Sequence, residues 1–466
     1  MSAAAKVPGF RLISYSLPIL GIEFIIYPIL AILPAFYVHL SGGELAQFAT
    51  AILVSRIVYS CSGPVIGYLS DRFATPWGRR RPWIVAGTIV EIVSIVLVFM
   101  PPAKAGPVYL AWTSALALFG FSMIDVPYIA WGSEITRDYR TRSLITSYRA
   151  VLATGGQLLF LVLPLFPALG GRSLLSPTVI ERLGFAAIAI LAVTVLAALA
   201  LGPREIEAEE RHGATPIRAL IGGMLRNPPM LFLTGAIVFA FLANLIPATL
   251  TLPFLASIGL TEYFSPVTIA AIASSVISIP LWLRLTYRLG KSRFFVLALA
   301  ITAAGFPAYF LVSAVWGPLA GFIVSSILQA LPAGQMLASI PYSMMGDVID
   351  YDELRTGTNH AANYSAIVLL VIRLQSAIGG SVAFFILSAL HFDVRAVDPH
   401  RLQPAMIAAE FAVPFVCTLI AMAFAARYPL DERRHAIVRR RLERRRPSDG
   451  ASCPSAGDGF AVSREV

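Results

Sequence analysis

The stretch LSDRFATPWGRRRPWIVAG, residues 69–87, returns in shortened form as LTYRLGKSRFFVLAL, residues 285–299. A second pair repeats at nearly the same distance: PYIAWGSEITRDY, residues 127–139, and PYSMMGDVIDY, residues 341–351. The offset is 212 positions at the central glycines of the first pair and 214 at the opening prolines of the second. Two matches at almost one offset indicate a duplication rather than chance similarity of apolar sequence. The chain is therefore expected to consist of two related halves.

The composition indicates that both halves lie in a membrane. Of 466 residues, 57% are hydrophobic and 13% are charged, and the mean hydropathy is +0.75. A soluble domain carries about 25% charged residues, and one helical membrane crossing takes about 20 residues. Twelve segments are long enough to cross: 12–40, 45–70, 82–101, 107–134, 143–168, 180–202, 229–257, 264–288, 293–315, 317–346, 361–390 and 403–427.

The longest polar stretch between these segments divides them six and six. We therefore expect an all-α membrane protein with an N-terminal six-helix half at 1–202 and a C-terminal six-helix half at 229–427. Residues 203–228 form the linker between them, and a basic, disordered tail follows at 428–466. Two parallel halves related by an axis along the membrane normal are typical of major facilitator transporters.

Arginine and lysine mark one side of the predicted membrane layer. The loops on the side of the N-terminus are rich in both, whereas the opposite loops hold Lys104, Arg172, Arg182, Arg395 and Arg401. By the positive-inside rule, the linker and both termini are expected in the cytoplasm, with the protein in a plasma or bacterial inner membrane. The tail sequence RRHAIVRRRLERRR contributes to the net charge of +10. We interpret it as a segment attracted to anionic membrane lipids and not as a nucleic-acid interface.

The chain lacks the sequence patterns of an enzyme or a metalloprotein. Its cysteines, Cys61, Cys417 and Cys453, are scattered without metal-ligand or disulfide spacing. No glycine-rich phosphate loop and no nucleophile elbow occurs. We therefore expect neither catalysis nor a cofactor or structural metal.

Three stretches resemble a known transporter family. They are GYLSDRFATPWGRRRPWI at 67–84, DVPYIAWGSEITRDYRTRSLITSYR at 125–149 and MMGDVIDYDELRTGTNHAANYSA at 344–366. They are similar to motifs of the glycoside–pentoside–hexuronide:cation symporters of the major facilitator superfamily, and the first also resembles the plant sucrose transporters. The resemblance extends from about residue 15 to 390. It implies a monomeric transporter with twelve transmembrane helices in two pseudo-symmetric halves. A small-molecule solute would bind near mid-membrane between the halves.

Five ionisable residues lie well inside the predicted spans: Glu23, Arg56, Asp125, Arg149 and Arg373. Such residues are functional candidates because exposure to lipid is costly. The alternative is that they pair with one another and only hold the helices together. Asp125 shares one helical face with Ser122 and Tyr128, three residues to either side.

The resemblance implies solute contacts for several of these positions. Asp125, Glu23 and Arg149 match family positions that lie at the sugar, although the family has aspartate where this chain has Glu23. Arg373 matches a lysine near the family's cation site, and its permanent charge favours a role as fixed counter-charge. Tyr128 and Arg373 complete the predicted solute site. Asn244, on a polar face that is interrupted by prolines, either lines the same site or serves packing alone.

The loop at 69–87 matches the superfamily's cytoplasmic gate. Opposite charges recur at repeat-related positions in the second half, which favours a gate over a merely solvated loop. The predicted gating residues are Asp71, Arg72, Arg79, Arg80, Arg81, Asp138, Arg142, Asp347 and Asp350, and further charges lie at Arg288, Lys291, Arg293 and Asp352.

The predicted coupling ion follows from a departure from the family pattern. Sodium-coupled relatives carry two acidic residues, one helical turn apart, on the second helix. The matching positions here are Tyr59 and Gly63, which offer no negative charge for a hard cation. Glu23 and Asp125 remain as carboxylates that can exchange protons in a buried setting. We therefore predict Na⁺-independent transport, either coupled to protons through Glu23 or Asp125 or uncoupled.

Taken together, the sequence predicts a secondary active transporter for a sugar, glycoside or similar polar solute. One alternative keeps this fold but moves an amphipathic or lipid-like solute. A second alternative, from another class, is a membrane receptor or scaffold that transports nothing.

Overall fold

The computed structural model describes residues 8–73, 75–135, 139–169, 171, 173–203, 227–357, 361–392, 403–430 and 432–445. These residues are mainly helical. The N-terminal half contains α1 (Gly9–Ser16), α2 (Pro18–Ala31), α3 (Leu33–Ser41), α4 (Leu45–Arg72), α5 (Arg81–Phe99), α6 (Pro107–Glu134), α7 (Tyr139–Val162) and α8 (Pro177–Leu201).

The C-terminal half repeats this arrangement of long antiparallel helices. It contains α9 (Pro228–Ser257), α10 (Phe264–Leu289), α11 (Lys291–Trp316), α12 (Pro318–Ala338), α13 (Ile340–Thr356), α14 (Ala361–Ala389), α15 (Pro404–Ile407) and α16 (Val413–Ala426), with a π-helical turn at Ala408–Ala412 and a final helix α17 (Glu432–Arg445). We call the side where α1 begins and α17 lies the terminal side, and the other the opposite side.

Ten helical stretches among the described residues are long and apolar enough to cross a membrane. They correspond to ten of the twelve predicted spans. The other two predicted spans coincide with α12–α13 and α14, which contain the shorter apolar stretches Pro318–Gly334 and Ile378–Ala389. The chain thus folds as a multi-pass helical membrane protein.

Prolines divide the first predicted span, 12–40, into three helices. Pro18 occupies the first turn of α2 and Pro34 the first turn of α3, with the breaks at Leu17 and Ile32. Proline lacks the N–H that would bond the carbonyl four residues earlier, so Pro34 leaves the carbonyl oxygen of Leu30 available to another donor. This freed oxygen contributes to the site described below.

Glycines allow several helices to approach closely, as small residues commonly do between membrane helices. A Cβ placed on Gly156 of α7 would approach the carbonyl oxygen of Leu20 of α2, and one on Gly87 of α5 would lie 2.8 Å from the Cβ of Met123 of α6. Backbone atoms cannot give way as a flexible side chain can. The spacing of α2 and α7 therefore depends on the absence of a side chain at residue 156.

Replacing Gly156 by alanine is expected to lower the stability of the folded protein by about 1–3 kcal/mol, because the added methyl overpacks a backbone contact. The neighbouring substitution Gly155→Ala is the matched control, since a Cβ at Gly155 meets no heavy atom within 4 Å. Thermal unfolding of both variants in detergent measures the difference. Equal melting temperatures would show that α2 and α7 are not held at this spacing.

Buried apolar residues form one core that joins the two halves and a second core that does not. The first contains residues of α1–α8 together with residues of the C-terminal half near the opposite side, such as Phe254, Phe322 and Phe384. The second lies toward the terminal side and, within the described part of the chain, contains only residues from Met230 onward. The halves therefore pack together on the opposite side and have separate cores on the terminal side.

A small cavity lies within the contact between the halves on the opposite side. Its lining includes Val38, Pro253, Phe384 and Leu387. Val38 is 4% exposed. Its accessibility therefore reports whether this side is closed.

Residues 432–445, which belong to the tail for which disorder is expected, form α17. Val438 and Leu442 of this helix are buried. They lie four residues apart and thus on one helical face, and that face packs against α13. Tertiary contact therefore stabilises a helix in a segment whose charge density suggests disorder when considered alone.

Candidate functional site

A polar contact joins α2 and α7 inside the predicted spans. Gln157 Nε2 donates a hydrogen bond of 2.9 Å to Glu23 Oε2. Both side chains are partly exposed. The close approach at Gly156, next to Gln157, allows this short side-chain contact between the two backbones.

A pair of tyrosines connects α1 with α6. Tyr15 Oη donates to the carbonyl oxygen of Tyr128 at 2.7 Å, and Tyr128 Oη donates to the carbonyl oxygen of Tyr15 at 2.9 Å. Their rings stack with centroids 4.7 Å apart. The Tyr15 hydroxyl lies against Gly132, where a Cβ would collide with it. Because the Tyr128 hydroxyl donates its hydrogen to Tyr15, contact with a solute or a neighbouring side chain is left to the Tyr128 ring.

Arg149 of α7 lies over the Tyr128 ring, with Cζ 4.7 Å from the ring centroid. This is cation–π geometry, which holds a guanidinium in a defined place without neutralising it. Arg149 and Asp125 are both partly exposed. Asp125 and Arg149 each lie within electrostatic range of Glu23, Tyr15 and Tyr128. Two carboxylates and one guanidinium thus form a charged cluster on α2, α6 and α7.

The remaining predicted solute contacts lie in the other half. Asn244 of α9 has an exposed side chain. Arg373 belongs to α14, but its side chain lies outside what the structure describes. Its predicted role as counter-charge therefore stays a prediction.

Arg56 of α4 connects the halves. Its side chain is 3% exposed, and Nη2 donates a 2.6 Å hydrogen bond to the Leu30 carbonyl oxygen that Pro34 leaves available. The guanidinium also lies against Gly380 of α14, where a Cβ would be 2.7 Å from Nη1 and 2.8 Å from Nη2. A side chain at residue 380 would force the guanidinium to shift. Sequence reasoning identified Arg56 as an intramembrane charge but could not identify Gly380 as its neighbour.

Neutral groups fill the interface between α4 and α6 where related symporters carry acidic residues. Ser62 Oγ donates to Ser122 Oγ at 2.7 Å, and the rings of Tyr59 and Phe121 pack with centroids 5.6 Å apart. Among the described residues, no group of three or more His, Cys, Asp or Glu side chains is placed to hold a metal ion.

The loop between α4 and α5 contains an ion pair. Arg80 Nη1 lies 2.6 Å from Asp71 Oδ1 and donates to Ser70 Oγ at 3.0 Å. The loop turns tightly through reciprocal backbone hydrogen bonds between Thr75 and Gly78, with Gly78 at φ +108°, a conformation that favours glycine. Two of the predicted gating residues, Asp71 and Arg80, thus form an ion pair within the N-terminal half.

The other charges of this loop make contacts within the same half. Arg72 lies over Tyr68 at 5.0 Å, and Arg81 lies over Trp131 at 5.4 Å. Arg81 Nη2 also donates to the carbonyl oxygen of Pro203 at 3.3 Å. Arg79 is partly exposed in the same loop.

The repeat-related acidic residues of α13 bind partners in the C-terminal half. Lys291 Nζ lies 2.8 Å from Asp347 Oδ1. His435 Nε2 of α17 lies 2.9 Å from Asp350 Oδ2 and 3.6 Å from Asp347 Oδ1. Asp138 lies outside the described residues, as does the side chain of Arg142. The ion pairs described on the terminal side are therefore formed within one half each, as expected when the cores are separate there.

Sequence reasoning missed two carboxylates inside the spans. Glu91 of α5 is 2% exposed, and Glu410 in the π-helical turn is 4% exposed. In each, Oε2 is buried without a hydrogen-bond partner. A count of ionisable residues in the spans 82–101 and 403–427 would have found both.

Two related halves of membrane-spanning helices with charged residues inside the spans are typical of membrane transporters. A family model described as MFS/sugar transport protein matches residues 14–432, and the chain therefore belongs to this family. This confirms the prediction of a glycoside–pentoside–hexuronide:cation symporter relationship and of the major facilitator fold.

Similar proteins span nearly the whole chain. The inner membrane symporter YicJ of Escherichia coli is 26% identical over 84% of this chain and 85% of its own length. The sodium-dependent lysophosphatidylcholine symporter 1 of Homo sapiens is 23% identical over 90% of this chain and 83% of its own length. The lactose permease of Lactobacillus delbrueckii is also 23% identical, over 91% of this chain and 69% of its own length.

Solved structures agree on the fold. The nucleoside transporter NupG superposes with a TM-score of 0.64 at 13% identity, over 91% of this chain and 100% of that chain. At this identity the likeness concerns the fold and not the solute. The family and its structural neighbours are transporters.

Proposed function

We propose that the chain moves a sugar, glycoside or similar polar solute across the membrane by alternating access. The observation that carries this proposal is the charged cluster of Glu23, Asp125 and Arg149 on α2, α6 and α7. Carboxylate oxygens accept hydrogen bonds from sugar hydroxyls, and a guanidinium donates in a planar fork. The relationship to a lactose permease supports a carbohydrate solute.

The other predicted contacts complete the proposed site. Tyr128 contributes its ring, because its hydroxyl is bonded to Tyr15, and Arg149 is held on that ring. Asn244 and Arg373 contribute from the other half. A solute between them would contact both halves, as alternating access requires.

The distribution of the cores supports alternating access. The halves share a core on the opposite side and have separate cores on the terminal side. With the termini in the cytoplasm, as the charge distribution predicts, this conformation is closed to the outside. The gating pairs Asp71–Arg80 and Lys291–Asp347 lie on the cytoplasmic side, where they would exchange partners when that side closes.

An amphipathic solute is the second candidate. The lysophosphatidylcholine symporter of Homo sapiens matches this chain at the same 23% identity as the lactose permease. Uptake of labelled mono- and disaccharides, glycosides and lysophospholipids into proteoliposomes separates the two candidates. Saturable sugar or glycoside uptake supports the proposal, and saturable lysolipid uptake alone replaces it with the alternative. A protein that moves none of these solutes, although another member of the family does so in the same assay, would favour a receptor or scaffold.

We expect transport to be independent of sodium, because Tyr59 and Gly63 of α4 carry no negative charge and the contacts described beside them, Ser62–Ser122 and Tyr59–Phe121, are neutral. These neutral groups cannot balance the charge of a hard cation. Glu23 and Asp125 are the carboxylates available for a proton. A proton gradient should therefore drive accumulation of the solute, while an uncoupled protein would only equilibrate it.

Solute accumulation under an imposed pH gradient and under an imposed Na⁺ gradient, at the same membrane potential, tests this expectation. The variant Glu23→Gln should lose pH-driven accumulation to a greater extent than it loses equilibration of labelled solute across the membrane. Accumulation driven by the Na⁺ gradient alone would contradict the expectation and indicate a cation site built from other residues.

A further inference from the structure

The last helix, α17, is attached to the gate region through one face. His435 of this face contacts Asp350 at 2.9 Å and Asp347 at 3.6 Å. Val438 and Leu442, three and seven residues later, are 7% and 8% exposed. This face therefore binds the protein through an acidic pair and an apolar contact.

The opposite face of α17 is basic and exposed. On a helical wheel, Ile437 and Arg440 lie on the side away from His435, Val438 and Leu442, and Arg441 lies at the edge of this side. Ile437 is 50% exposed, and both arginines are exposed. A basic face with an apolar residue is typical of helices that lie at a membrane surface.

The chain keeps α17 close to the membrane boundary. The last span ends at Ala426 and α17 begins at Glu432, and six extended residues reach at most about 21 Å. The connection is also held in place, since Tyr428 and Leu430 are buried and Tyr428 Oη donates to the carbonyl oxygen of Met344 at 3.4 Å. Head groups of the adjoining leaflet are thus within reach of the basic face.

We propose that the face of α17 formed by Ile437, Arg440 and Arg441 binds anionic phospholipid head groups of the leaflet on the terminal side. The positive charge of this face favours an anionic surface. The exposed apolar side chain of Ile437 and the short connection to the last span favour a membrane over a soluble polyanion. Because the other face contacts Asp347 and Asp350, bound lipid fixes α17 beside a gating carboxylate that also pairs with Lys291. The leaflet's lipid composition would thereby act on the gate.

The experiment uses the full chain in nanodiscs of phosphatidylcholine with increasing phosphatidylglycerol. An environment-sensitive fluorophore at Ala436→Cys, in a background without other cysteines, reports contact of α17 with lipid. The signal should saturate with phosphatidylglycerol and weaken at high salt, since salt screens exposed charges. The variant Arg440→Gln should bind about fivefold more weakly, because one basic residue near an anionic surface contributes a factor of about five.

The matched control is Arg439→Gln, which removes the same charge from the flank of the helix next to His435. Arg439 lies one helical turn after His435 and close to it on the wheel. This control should keep the response. Equal loss in both variants would mean that net charge alone matters and would overturn the proposal. An equal response to a soluble anionic polymer in pure phosphatidylcholine nanodiscs would also overturn it.

Discussion

Replacing Asp125 by asparagine is expected to reduce solute uptake about 100-fold or more while the protein still folds. Asparagine has nearly the same shape but removes the charge that acts with Arg149 on Glu23 and Tyr128. Asp125 can accept hydrogen bonds from two solute hydroxyls, each worth about 1.5–3 kcal/mol when one partner is charged, and each 1.36 kcal/mol changes a rate or affinity about tenfold. Uptake kinetics in proteoliposomes, normalised to folded protein, measure the effect.

Glu91→Gln is the matched control for this prediction. Glu91 is also a carboxylate inside a span, but it is buried between α5 and α6 against Gly120 and is not part of the charged cluster. This variant should retain uptake within about threefold, because replacing a buried carboxyl by an amide of the same shape removes no solute contact. If both variants lose uptake equally, Asp125 serves only to hold the helices together.

Arg149→Lys tests the geometry of the same cluster. Lysine keeps the charge but loses the planar fork and the guanidinium stacking on Tyr128. A large loss of affinity would support recognition of the solute by two parallel hydrogen bonds. Unchanged affinity would restrict Arg149 to a counter-charge for Asp125 and Glu23.

Replacing Gly380 by alanine is expected to open the opposite side of the protein. The new methyl would overlap the Arg56 guanidinium, which is buried and bonded to the Leu30 carbonyl oxygen. Displacing the guanidinium disturbs its contact with Gly380 of the other half and weakens its charge-assisted hydrogen bond to Leu30, worth about 1.5–3 kcal/mol. Even the lower part of this range shifts the balance between two conformations more than tenfold.

Labelling of Val38→Cys by a membrane-impermeant maleimide, in a background without other cysteines, measures this opening. Val38 lines the cavity between the halves, so its labelling should accelerate about tenfold or more in the Gly380→Ala protein. Gly379→Ala is the control, because a Cβ there meets Leu245 of the same half, 2.8 Å from its Cβ. Slow labelling in both variants would show that the Arg56–Gly380 contact does not keep this side closed.

The gating charges suggest how the two sides are linked. In this conformation, the described terminal-side pairs lie within single halves, whereas Arg56 and Gly380 connect the halves on the opposite side. A transition that separates Arg56 from Gly380 would bring the terminal ends of the halves together. Asp71 and Asp347 would then be positioned to exchange their present partners for residues of the other half.

The membrane spans and the division into two halves could be recognised from the amino-acid sequence alone, because they depend on hydropathy and on a duplication. Apolar length defined the membrane spans, because a bilayer requires about 20 apolar residues per helix. The repeated motifs at 69–87 and 285–299 indicated two halves, and the family match confirmed the fold. Asp125, Glu23 and Arg149 could be selected as candidates because charges inside a span are rare.

The tertiary structure decided which of these residues meet and how. A sequence carries no distances between helices, so it could not show that Gln157 binds Glu23 or that Gly380 receives Arg56. Nor could it show that the Tyr128 hydroxyl is committed to Tyr15, since that bond depends on how α1 packs against α6. The tail illustrates the same limit: its charge density predicts disorder, but the buried face of Val438 and Leu442 makes residues 432–445 helical. Burial against a neighbouring helix is a property of the whole fold, and it outweighs the local preference of the segment.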